Sequence, residues 1–324
     1  MKLIEDSQVI LLLCSQLGLS SSGELNALTL REWNPLARKI AASEMKRPGA
    51  LLDLSAQTIA QQLNVSSAEA DRYAALLARG GTLALELERL ESLGIWVSTR
   101  ADDAYPARYR QRLKDAAPPV LFGAGTLDLI GQSGLAVVGS RSVDEKRKEF
   151  AKFIGAACAR AGLIVYSGGA RGTDAIAMGT ALDSQGQAVG VLADSLEKAI
   201  RTPDVRAMIA RTDLALLTPY SPSAGFSVGA AMGRNKLIYG LADYALIIAS
   251  DLEKGGTWAG ATEALKAGWV PVFVLDSDDA PAGNRRLLKM GAQPFPQSFS
   301  DAATLQRWLE EHAAPPPPEP PKLL

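Results

Sequence analysis

Leu163-Ile164-Val165-Tyr166-Ser167-Gly168-Gly169-Ala170-Arg171-Gly172-Thr173-Asp174 joins an apolar run to a glycine turn that closes on an arginine and opens a helical stretch. The same order occurs upstream, where Leu135–Val138 runs into Gly139-Ser140-Arg141 ahead of a second helical stretch. Glycine lets a backbone turn sharply and approach a ligand closely. A helix start offers unpaired N–H donors and a partial positive charge. An arginine in the same turn adds a planar fork that suits phosphate. Two such turns on neighbouring strands would make one broad anion site.

Outward from these turns, apolar runs and helical patterns alternate. Strands are expected at Leu135–Val138, Leu163–Tyr166, Ala188–Leu192, Leu214–Thr218, Ala245–Ala249 and Val270–Leu275. Helices are expected at 144–161, 173–184, 195–211, 226–242 and 257–267. This alternation predicts an α/β, doubly wound, mainly parallel Rossmann-like sheet. Ligands in such sheets bind beyond the carboxyl ends of the strands, where both arginine turns fall.

Two further polar clusters belong at that edge. Arg234-Asn235-Lys236 follows a strand and a flexible run, Ser221 to Gly229. Gly255, Gly256 and Thr257 begin a helix after the strand Ala245–Ala249 and could give N–H and hydroxyl donors to phosphate. Glu263, in the same helix, reads as a macrodipole partner or as a general base. Asp174 reads as a helix cap, as an orienter of Arg171, or as a ligand for a ribose hydroxyl. The candidate phosphate-binding set is therefore Gly139, Ser140, Arg141, Ser167, Gly168, Gly169, Arg171, Gly172, Asp174, Arg234, Asn235, Lys236, Gly255, Gly256 and Thr257. Lys146-Arg147-Lys148 reads as a solvated helix face, and Arg285-Arg286 with Lys289 as a basic group balanced by Asp276, Asp278 and Asp279. Aromatic stacking candidates are sparse: Tyr166, Tyr220, Phe226 and Trp258.

Composition narrows the chemistry. A formal net charge of -1 over 324 residues means that any polyanion site is a local patch. The 2 cysteines, Cys14 and Cys158, lie in apolar helical patterns and read as buried thiols. With a single histidine, His312, and no His/Cys cluster, neither a metal site nor a cofactor is expected. Val9 to Leu13 is too short to span a bilayer and no secretory signal is visible, so a cytoplasmic location without membrane contact is expected.

Four regions are expected: a helical N-terminal domain over 1–95, a connector and extended lead-in over 96–133, the Rossmann-like domain over 134–312, and a proline-rich disordered tail over 313–324. Within the first, Leu54 to Ser66 is similar to a helix–turn–helix fragment, a pattern that small bundles also use simply to pack.

These motifs together resemble the DNA-processing protein A (DprA/Smf) family. The resemblance rests on Gly139-Ser140-Arg141, on Ser167 to Asp174, on Gly233 to Leu241, and on the lead-ins Tyr105-Pro106 and Pro118 to Gly123. It covers roughly residues 5 to 275. It implies a Rossmann-like domain that binds single-stranded DNA without sequence preference, forms homodimers and hands the strand to a RecA-type recombinase, chiefly in natural transformation. It implies no catalytic residues. The strand contacts it implies are Gly139, Ser140, Arg141, Ser167, Gly168, Arg171, Arg234, Asn235 and Lys236. Met178 stands where the family usually has histidine, Ala249 where it usually has an acid, and Ala193 to Lys198 replaces a Gly-Leu-Asp-x-x-Tyr-Pro stretch. The winged helix of many members has no counterpart here before the proline tail. The wider superfamily includes phage-defence nucleotide sensors and LOG-type phosphoribohydrolases, which cleave nucleoside monophosphates. Gly255 to Glu263 partly resembles the LOG motif, so an enzyme using Glu263 and Arg171, or a sensor of a nucleotide derivative, is the alternative reading.

Overall fold

Helix starts in the N-terminal part are set by side-chain caps. Thr29 with Glu32, and Ser66 with Glu69, close capping boxes at the starts of Leu30–Ala42 and Ser67–Leu77. The computed structural model describes residues 3–19, 23, 25–297 and 304–313. The proline tail beyond Ala313 lies outside the described residues.

The chain forms two units. The first comprises Met1–Tyr105, Lys114–Ala124 and Thr218–Ala224. It holds helices α1 (Glu5–Cys14), α2 (Leu30–Ala42), α3 (Ala56–Leu63), α4 (Ser67–Leu77) and α5 (Gly80–Ser92), with strands β1 (Ile95–Thr99) and β2 (Val120–Ala124). Val9 to Leu13 of α1 is buried in this unit, with Trp33, Leu36, Ile40, Ile59, Leu63 and Leu76. The extended lead-in proves to be a strand, since β2 pairs antiparallel with β1 from Val120↔Thr99 to Ala124↔Ile95. In the helix–turn–helix-like pair α3–α4, the outer face of α4 carries Glu69 and Asp71. Its Arg72 reaches back to Glu32 at 2.6 Å and to backbone carbonyls. Arg72, the one cation of α4, is thus engaged within the unit, with acids on the exposed side of the helix.

The second unit comprises Pro106–Leu113, Gly125–Leu217 and Gly225–Leu324. Its strands are β3 (Gly134–Val138), β4 (Ile164–Ser167), β5 (Ala188–Val191), β6 (Leu214–Thr218), β7 (Tyr244–Ile247), β8 (Val272–Leu275) and β9 (Gln293–Phe295). They lie in the order β6-β5-β4-β3-β7-β8-β9, every neighbour parallel. The helices are α6 (Glu145–Ala161), α7 (Thr173–Asp183), α8 (Leu196–Ala199), α9 (Pro203–Ala210), α10 (Val228–Leu241), α11 (Gly255–Ala267), α12 (Ala282–Lys289) and α13 (Thr304–His312). The chain walks from β3 to β6 in one direction and from β7 to β9 in the other. The crevice between β3 and β7 is thus the switch point, where doubly wound sheets hold their ligands.

One expected helix divides. The 195–211 segment becomes α8 and α9, because Pro203 has no N–H to continue α8 and its ring disfavours a helical Thr202; the proline instead starts α9. The basic run on α6 also differs from a solvated face. Arg147 is buried and bound to Asp144 and to the Asp279 carbonyl, while Lys146 and Lys148 pair with Asp279 and Glu145. Among the described residues, no helix is long and apolar enough to cross a membrane.

Candidate functional site

The two arginine turns lie against each other. A Cβ on Gly172 (φ +87°) would sit 2.6 Å from the carbonyl oxygens of Ser140 and Arg141, and one on Gly139 would sit 2.5 Å from Thr173 Oγ1. The backbone N–H and hydroxyl of Thr173 both donate to the Ser140 carbonyl, at 3.3 and 3.2 Å. Ser140 N–H donates to the Ala249 carbonyl at 2.9 Å, which ties the β3 turn to the end of β7. These glycines therefore allow one turn to pack on the other, and Gly139 also lines the cavity.

The joined turns wall a cavity of about 420 Å³ at the switch point. Gly139, Ser140, Arg141, Ala170 and Asp174 form one side, and Arg234 and Asn235 of α10 lie opposite with Gly255, Gly256 and Thr257 of α11. All four sequence clusters thus converge, in full or in part. The α11 start carries no side-chain cap, so its first N–H groups are open to an anion. Asn235 donates its amide to the Gly256 carbonyl at 2.9 Å, which joins α10 to that start and leaves its carbonyl oxygen for the cavity.

Arg234 belongs to the buried floor of the cavity. It is only 4% exposed, and its guanidinium lies against Gly168 and faces the buried Asp174. Burial pushes the Asp174 carboxyl up to about 6, with the Arg234 charge and backbone N–H groups of Gly168 and Ala170 pulling the other way. Gly168 N–H donates to Asp174 Oδ2 at 3.2 Å. Asp174 therefore neither caps α7, whose N-cap is Gly172, nor answers to Arg171. It braces the second glycine turn with Arg234 as its counter-charge. Ser167 is fully buried and its hydroxyl donates to the Val137 carbonyl at 2.6 Å. The Ser167 hydroxyl and the Gly168 N–H are thus committed to building the site, while the Arg234 side chain, beside Asp174, also lines the cavity and its buried Nε and Nη1 have no hydrogen-bond partner among the described residues.

Other candidates stand off the wall. Arg171 and Gly169 are exposed, and Lys236 is half-buried; with Ser167, Gly168, Gly172 and Glu263 they do not line the cavity. Glu263 lies in the third turn of α11 with its side chain exposed, so the acid–base role has no support in the cavity. Among the described residues, Arg141, Arg171, Lys236 and Lys254 make no ion pair, and Arg141 and Lys254 line the cavity.

The mouth is apolar as well as basic. Phe226, Val228 and Met232 line it while 50%, 71% and 41% exposed, and the Arg141 guanidinium stands 5.3 Å above the Phe226 ring. Of the stacking candidates, Phe226 alone lines the cavity; Tyr166 is buried with its hydroxyl bonded to the Leu129 and Gln132 carbonyls. Asp251 and Tyr239 also line it and carried no sequence signal, being a loop acid and one apolar-face position of a helix.

A seven-stranded parallel unit with glycine turns converging on a cavity at its switch point defines a Rossmann-like protein. The chain belongs to the DNA recombination-mediator protein A family, whose model matches residues 96–305. A Mycobacterium tuberculosis relative bearing the DprA name is 31% identical over 226 residues, 64% of this chain and 57% of the relative. This chain thus matches little more than half of that relative's length. The crystal structure of DNA processing protein A from Streptococcus pneumoniae superposes with a TM-score of 0.67 at 21% identity, covering 91% of this chain and 95% of that one. DNA processing protein A from Helicobacter pylori, described for its single-stranded DNA binding mode, gives 0.53 at 24% identity over 68% and 97%. Both likenesses are of fold.

Proposed function

We propose that this chain binds single-stranded DNA through its phosphate backbone at the switch-point cavity, as a non-enzymatic DNA-processing protein. The observation that carries the reading is the cavity mouth, where unpaired Arg141 and Lys254 flank an uncapped helix start beside an exposed aromatic ring. The H. pylori relative's described binding mode supports the same ligand. Arg141, Lys254 and the α11 N–H groups would hold phosphates, Phe226 would stack a base, and Arg171 would add charge from the turn. Hand-over to a RecA-type recombinase and homodimer formation belong to the same proposal.

The test is fluorescence anisotropy with labelled oligo-dT across a salt series. Arg141→Ala and Arg171→Ala should each lower the salt slope by about 0.7, the share of one phosphate contact on a single strand. Phe226→Ala should cost about 1–3 kcal/mol, the worth of one stacked base, and leave the slope unchanged. Unaltered affinity and slope in all three would remove the cavity as the strand site.

A second reading has one observation in its favour. At about 420 Å³ with a buried acid on its floor, the cavity also has small-molecule dimensions. A nucleotide derivative would then compete with oligo-dT at low concentration, whereas the strand reading expects weak competition.

A further inference from the structure

α12 is a short amphipathic helix whose exposed polar side chains are all basic. Gly283, Asn284 and Leu287 face inward and are buried, while Arg285, Arg286 and Lys289 are exposed. None of these three cations makes an ion pair among the described residues. Of the acids that the sequence sets against them, Asp279 is already engaged with Lys146, Arg147 and Ser277. The balance read from the sequence is therefore only partly present in space.

The helix is fastened to the loop that walls the cavity. A Cβ on Gly283 would sit 2.2 Å from the Ser250 carbonyl oxygen and 2.6 Å from that of Asp251, so the α12 backbone touches the loop directly. Asn284, fully buried, accepts from Ser250 N–H at 2.8 Å and donates to the carbonyls of Ile248 and Leu275 at 3.0 and 3.1 Å. That loop continues through Asp251 and Lys254 into the cavity lining. α12 is thus held next to the cavity by a buried amide and a glycine contact. Asp251, exposed at the junction, is the acid of this loop that also lines the cavity, beside the unpaired Lys254.

We infer that the outer face of α12 is a second contact surface for the same polyanion, carrying the strand beyond the cavity over Arg285, Arg286 and Lys289. This rests on the strand-binding reading above. Free cations without aromatic neighbours on the same helix give a phosphate-only contact, insensitive to base and steeply dependent on salt. The cavity then holds a short segment, and α12 adds affinity only when the strand is long enough to reach it.

The test compares wild type, the triple variant Arg285→Ala/Arg286→Ala/Lys289→Ala and Arg141→Ala, on oligo-dT of about 4 and about 16 nucleotides, the range of site sizes for sequence-independent modules. For the triple variant, the salt slope on the longer strand should fall by about 2, and affinity near ~0.1 M salt by up to about a hundredfold. Its binding to the short strand should match wild type, and because all three side chains are exposed its melting curve should too. Arg141→Ala should weaken both strands. An unchanged slope on the longer strand in the triple variant, with Arg141→Ala still impaired, overturns the α12 contact and leaves the cavity reading intact. Equal losses on both strands also overturn it, because the cations would then act within the cavity. Absence of binding by wild type to either strand defeats both readings together.

Discussion

Gly168→Ala is expected to abolish strand binding and to destabilise the second unit by about 3–5 kcal/mol, the usual cost of breaking a buried charge pair. The added methyl would lie 1.7 Å from Arg234 Nη1 and 2.5 Å from its Cζ. A guanidinium at the end of a flexible chain can ordinarily step aside. Here it is buried, and it is the counter-charge of a fully buried Asp174. Displacing it leaves that carboxyl without its cation and pushes the guanidinium toward the cavity that Arg234 lines. The effect should therefore run through Arg234, and a double-mutant cycle can show this. In an Arg234→Ala background, Gly168→Ala should cost less than about 1 kcal/mol, because the atom it strikes is gone. Equal costs in both backgrounds, read from denaturant midpoints, would mean that the glycine serves some other contact.

The same residue shows what the sequence could and could not disclose. Apolar runs of parallel strands are legible one at a time, and β6 falls at Leu214–Thr218 as read. β2 was obscured by Pro118-Pro119, which read as extended chain without a partner. β9 is three residues with Pro294 at its centre, and α12, though amphipathic, is only eight residues long, so neither stands out from the sequence around it. At the site, the glycine turns mark the correct edge of the sheet. Which way each side chain faces is another matter. Arg234, Asn235 and Lys236 are consecutive on a helix, so each is turned about 100° from the last. The structure buries the first against Asp174, gives the second to the cavity and leaves the third off its wall. The glycines carried a comparable ambiguity. A turn that must admit a phosphate and a turn that must admit another turn require the same missing Cβ, and Gly139 does both, meeting Thr173 and lining the cavity.

The buried acid should leave its mark on the pH dependence of stability. Asp174 titrates from an ordinary 3.8 up to about 6 in the folded protein, chiefly because burial disfavours its charge. The folded state therefore holds this proton more tightly than the unfolded chain does. The stability it contributes is fully present below pH 3.8 and is lost as pH rises through about 6, a span worth about 3 kcal/mol at most. The groups facing it set the size of that loss. Arg234 from α10, the N–H groups of Gly168 and Ala170, and the Ser167 side chain favour the carboxylate, whereas burial favours the acid; Tyr239, the other titratable group near it, stays neutral across this range. Asp174→Asn keeps the shape and an acceptor for Gly168 N–H but cannot titrate. The difference in unfolding free energy between wild type and Asp174→Asn should therefore slope across pH 3.8 to 6 and be flat above it. Arg234→Met, which removes the neighbouring cation at similar volume, should extend the upper end of that window to higher pH. A difference curve that is flat throughout would show that Asp174 keeps an ordinary carboxyl in the folded protein, and that the floor of the cavity is wetter than its packing implies.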